Sequence, residues 1–97
     1  MSANEDTVLS MIGTALNADT PDEIIAEIEA ALGSEDRWVI NACILSIAHM
    51  ARRFRTYPAD LKARVWLAAK TSAHAETLSG TLGDAEGDIA TFRAEAV

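Results

Sequence analysis

Residues 34–55 read SEDRWVINACILSIAHMARRFR, and the spacing within this stretch decides the fold. Val39, Ile40, Cys43, Ile44, Ile47, Met50, Ala51 and Phe54 recur every three to four residues, the period of one buried helix face. Trp38, Ala42, Leu45, His49 and Arg52 form a second stripe on the opposite side, spaced four, three, four and three as in a coiled-coil seam. A helix apolar on both sides is either the centre of its fold or part of an interface. Ser34 is placed to cap this helix, with Glu35 and Asp36 in the first turn. Arg52, Arg53 and Arg55 complement the negative end of its dipole.

Outward from this spine the chain reads as further helices. A first helix is expected over about residues 5–16, with Val8, Leu9, Ile12, Ala15 and Leu16 as its apolar stripe. Thr20-Pro21-Asp22-Glu23 reads as cap, first-turn proline and capping box for a second helix, with Ile24, Ile25, Ile28, Ala31 and Leu32 facing inward. Gly33 suits a left-handed stop. Pro58 opens a fourth helix, expected over residues 59–78, with Leu61, Val65, Ala68, Ser72 and Ala75 on a narrow face and Trp66 pointing elsewhere. Gly80, Gly83 and Gly87 read as a break before a short last helix from about residue 84 to 96. No alternating, β-branched run suggests a strand. The expected fold is all-α, a small antiparallel bundle of four to five helices in a single domain spanning residues 1–97.

Composition agrees with a globular helical chain. Of 97 residues, 49% are hydrophobic and 24% charged, and the 19 alanines favour helix at little side-chain entropy cost. The formal net charge is −7, unevenly spread. Acids dominate up to Asp36 and again from Glu76, while the bases cluster between Arg37 and Lys70. The lone Cys43 precludes an internal disulfide, and its place in an apolar run fits a small buried hydrophobe in a reducing compartment. No basic start with a long apolar run marks a secretory leader, and the run 38–51 is too short and too interrupted to span a bilayer. A cytoplasmic chain without membrane contact is expected.

Motifs for chemistry are poor. His49 and His74 lie far apart, and no His-x-x-x-His or Cys-x-x-Cys spacing exists. The acids Asp84, Glu86, Asp88 and Glu95 imitate a calcium loop, but Ile89 and Phe92 occupy positions that need glycine and a ligand. Gly80-Thr-Leu-Gly83 lacks the lysine of a phosphate loop, and Asp84 would repel phosphate. Cys43 and the serines lack any nucleophile motif. No metal, cofactor or catalytic residue is assigned, and no enzyme is expected.

Binding remains. Tryptophan and arginine dominate interface hot spots, so Trp38, Leu45, His49 and Arg52 are candidate contacts for a protein partner or for a homodimer. The acids Glu27, Glu29, Asp84 and Asp88 are candidates for engaging a basic partner surface. Short, acidic, motif-free helical chains resemble in general style the inhibitors that phages and mobile elements direct against bacterial defence complexes. That resemblance implies a small inhibitor occupying the basic nucleic-acid groove of a partner complex. Two alternatives stand beside it, an oligomerising assembly or adaptor subunit and a helix-turn-helix-like regulator contacting DNA through Arg53, Arg55, Lys62, Arg64 and Lys70. The net negative charge opposes direct nucleic-acid binding.

Overall fold

A computed structural model describes residues 2–97 as five helices and one short strand pair. Helix α1 spans Ala3–Asn17, α2 Pro21–Ala31, α3 Arg37–Phe54, α4 Ala59–Thr71 and α5 Ala75–Thr91. Strands β1 (Thr56–Tyr57) and β2 (Glu95–Ala96) pair in parallel. The described residues form a small all-α bundle.

Helix α3 is its spine, since α1, α2, α4 and α5 all pack on it. Val39, Ile40, Cys43, Ile44, Ile47, Met50 and Ala51 are buried, the main stripe expected from the spacing, and Phe54 packs at its margin. The cap lies two residues later than expected. The Asp36 carboxylate accepts from the backbone N–H groups of Trp38 (3.0 Å) and Val39 (3.1 Å). Ser34 instead accepts from the Asp36 N–H at 3.1 Å, holding the capping residue itself. A carboxylate at this position meets both orphan donors and the positive end of the dipole. Arg55 ends the helix with φ 57°, its N–H bonded to Ala51 O.

The other ends follow local chemistry that spacing alone does not show. Gly33 keeps a negative φ, and α2 closes through a turn in which the Ser34 N–H reaches Ala31 O. Thr20 precedes Pro21 as expected, but its side chain makes no capping bond. The carboxylate of Glu23 accepts from the Asp19 N–H instead. Helix α4 stops at Thr71 because Ser72 is extended, its hydroxyl donating to Ala69 O and accepting from the His74 N–H. The interhelical break therefore falls at Ser72–His74, not at the glycines. Gly80, Gly83 and Gly87 lie inside α5 with negative φ, on its exposed side, with open space where a Cβ would sit. What holds α5 helical is the spacing of Leu78, Leu82, Ala85 and Ile89, all buried. On α4 the buried residues are Leu61, Val65, Trp66 and Ala69, so Trp66 faces the core rather than away from it.

The strand pair is too short for any alternation to announce. The Arg55 carbonyl accepts from the Glu95 N–H, the Tyr57 carbonyl from the Val97 N–H, and the Val97 carbonyl from the Ala59 N–H. These bonds tie the segment after α5 to the α3–α4 turn.

Candidate interaction surface

The surface forms along the seam of α1 and α3. Ser2 and Glu5, at the start of α1, border a groove with Asp36 and Trp38, at the start of α3. At the other end the guanidinium of Arg53 donates to Ala15 O (2.9 Å) and Ala18 O (2.7 Å), the free carbonyls at the end of α1. The two helices therefore lie side by side with like ends together. A guanidinium suits that end because it satisfies orphan carbonyls and opposes the dipole.

Helix α1 buries only part of its apolar surface. Met11, Ala15 and Ala18 are buried and Val8 is half-buried, whereas Leu9, Ile12 and Leu16 are 55%, 40% and 53% exposed. The expected stripe thus splits in two, and Met11, outside that stripe, is a main core anchor. On α3 the second stripe divides likewise. Ala42 is buried against its neighbours, while Trp38 is 58% and Leu45 36% exposed. Leu9 and Trp38 line one groove; at about 100° per residue Ile12 and Leu16 share the arc of Leu9, and Leu45 that of Trp38. Among the described residues these five exposed side chains therefore fall on one face along α1 and α3, an apolar strip bordered by α5 at Trp38. Singly exposed apolar residues are ordinary, as Leu67 on α4 illustrates, but five along one two-helix seam are not.

Charged groups mark the ends of the strip. Arg37 stacks on the Trp38 ring, its guanidinium carbon 4.3 Å from the centroid. Arg52 reaches Asp88 at 3.0 Å and lies 5.7 Å from the Phe92 ring. His49 is half-buried between them. Burial, and after it the neighbouring Arg52 charge, hold its imidazole below the ordinary value. His49 is accordingly neutral at neutral pH.

The four acids considered for a basic partner do not form one surface. Glu27 accepts from Ser10 and Thr14 across the α1–α2 seam. Glu29 is bound by Arg64, whose hydrogen bonds hold its carboxyl low and raise the guanidinium in turn. Asp88 is paired with Arg52, and only Asp84 points free into solvent among these four. The bases considered for DNA are similarly occupied. Arg53 caps α1, Arg55 donates to Phe92 O, Lys62 pairs with Glu86 over the Trp66 ring, and Arg64 joins Glu29 and Asp60. Among these five, Arg53 and Arg55 bond to backbone carbonyls without an ion pair, and Lys70 has neither an ion pair nor a side-chain hydrogen bond among the described residues. Four of the five bases are thus engaged within the bundle.

Cys43 is buried, and burial pushes its thiol up to about 11, far from the thiolate that nucleophilic chemistry needs. Among the described residues no group of three or more His, Cys, Asp or Glu stands close enough to hold a metal ion. Among the described residues no helix is long and apolar enough to cross a membrane. Comparison with protein-family models, with curated proteins and with solved structures finds no match.

The residues missed by sequence reasoning are Leu9, Ile12 and Leu16 as surface groups. A signal was present. At about 100° per residue, Val8, Met11, Ala15 and Ala18 fill one arc, and Leu9, Ile12 and Leu16 the adjoining one, so apolar residues cover about half of the helix. A helix packed on one side needs a stripe little more than about 100° wide. The surplus arc is the exposed one.

Proposed function

We propose that the chain is a non-catalytic protein-interaction module that docks through the α1–α3 face. One observation carries this reading, the strip of five large apolar side chains left open along a single seam. Exposed apolar strips with a polar rim are the usual mark of a protein contact, and a half-exposed tryptophan at one end is the residue type that most often anchors one. Arg37 stacked on Trp38 holds that ring in place before binding, which lowers the ordering cost. The reading also takes consecutive helices as antiparallel neighbours, supported by the Ser10–Glu27 and Lys62–Glu86 links.

A second reading is a small inhibitor that presents its acidic surface to a basic, nucleic-acid-binding partner. It is favoured by the net charge of −7 and by the pairing of Arg52, Lys62 and Arg64 with acids of neighbouring helices at the surface, which leaves acids such as Asp84 in excess.

The test is Trp38→Asp against Asp84→Lys, both on exposed side chains, in a binding assay with proteins of the source cell. The first reading expects partner capture to vanish with Trp38→Asp and to survive Asp84→Lys; the reverse pattern supports the acidic inhibitor and sinks the first.

A further inference from the structure

Granted that the α1–α3 face is the docking surface, we infer that its occupant is a second copy of this chain, paired across a two-fold axis that crosses α1 and α3 near Ile12 and Leu45. The strip has an apolar middle and ends of opposite sign. Glu5 and Asp36 stand at the end where both helices begin, and Arg52 and Arg53 at the end where both finish. Charges of the other sign also stand at the ends, Arg37 beside Trp38 at the first, and Asp88 beside Arg52 and Asp19 next to Ala18 at the second, and His49 adds none at neutral pH.

A surface with opposite ends is complementary to itself under one operation. A two-fold axis lying in the contact plane, perpendicular to the two helices, reverses their direction and sets each acidic end over the second copy's basic end. The apolar middle then meets itself, as an isologous contact requires. The α1 helices face each other head to tail, so their dipoles attract. Trp38 comes over the second copy's Arg52, where a guanidinium can lie on the free face of the indole. An axis parallel to the helices would instead place acid over acid and arginine over arginine, a costly arrangement.

The size is suitable. The five apolar side chains expose on the order of 500 Å², near the upper end for the largest patch on a monomer. A standard contact takes roughly 800 Å² from each partner, and the flanking Glu5, His49 and Arg52 supply the rim.

Sedimentation equilibrium of the full chain, from roughly 1 µM to 1 mM, tests the inference. A monomer–dimer equilibrium is expected, with Leu45→Asp weakening dimerisation at least about 30-fold. Helical circular dichroism should stay unchanged, because the Leu45 side chain is partly open to solvent. Ile12→Cys should form a disulfide-linked dimer on mild oxidation, since the axis brings the two copies of position 12 together and buried Cys43 does not compete. A wild type monomeric throughout overturns the inference, as does a dimer indifferent to Leu45→Asp or a dimer that Ile12→Cys does not link. A monomeric chain that still loses a different protein partner on Trp38→Asp overturns self-pairing but leaves the interaction reading standing. A monomeric chain whose every binding partner survives Trp38→Asp removes both.

Discussion

Replacing Gly80, Gly83 and Gly87 together by alanine should raise stability. Each lies inside α5 at a negative φ, and a Cβ added at any of the three meets no atom within 4 Å. No clash opposes the substitution, so the helix-propensity difference acts alone. Glycine in an exposed helix interior costs about 0.8–1 kcal/mol relative to alanine, because alanine has less backbone freedom to lose on folding. Three sites give about 2.5–3 kcal/mol. For a domain of this size each kcal/mol moves Tm by about 4–8 °C, so the triple variant should melt roughly 10–20 °C higher, and each single variant a few degrees higher. Thermal and urea denaturation followed by circular dichroism at 222 nm would measure this, with m unchanged if the folded state is the same. The alternative chain path, with these glycines as a turn between two helices, makes the opposite prediction. A turn that needs a left-handed glycine loses stability when alanine replaces it. A fall in Tm, or no change across all three sites, would refute a continuous α5.

Other consequences follow from burial and capping. Met11→Ala should destabilise by about 2–4 kcal/mol because its side chain is fully enclosed, whereas Leu16→Ala, half open to solvent, should cost under about 1 kcal/mol; chemical denaturation separates them. Asp36→Ala should cost about 1 kcal/mol by removing two bonds to the start of α3, and should exceed the effect of Ser34→Ala. For His49 the folded pKa lies below the unfolded value near 6.5, so the unfolded chain takes up the proton first. The resulting stability is present above about pH 6.5 and is lost as the pH falls towards the folded value. Melting at pH 7.5 and 5.5 should show a smaller acid decline in His49→Gln than in wild type.

The spine helix was the most legible part of the chain, and the reason is physical. A helix buried on one long face repeats its apolar residues at three and four over many turns, as Val39 through Ala51 do, and no other structure satisfies that spacing. Terminal chemistry was less legible. Ser34 and Asp36 are both good caps, and which one acts depends on the path of the chain around Gly33. Glycines weigh against helix in a propensity argument, but tertiary burial of Leu78, Leu82, Ala85 and Ile89 outweighs them in α5. Charge was legible in amount but not in placement. Arg53, Lys62 and Arg64 look like a basic patch in the sequence, yet each finds a carbonyl or carboxylate on another helix. The Trp38 stripe stood out from its spacing. That Leu9, Ile12 and Leu16 would extend it across the seam depended on how far α1 is rotated about its axis, which only packing against Met11 and Val8 sets.

The most direct measurement of the central claim is a concentration series of methyl and indole NMR spectra of the labelled chain. If the α1–α3 face is a contact surface for a second copy, resonances of Leu9, Ile12, Leu16, Leu45 and the Trp38 indole shift together as concentration rises. The methyls of Leu67, exposed on α4, stay fixed. Shifts confined to Leu67 and α4, or spectra unchanged from the lowest to the highest concentration, would contradict it.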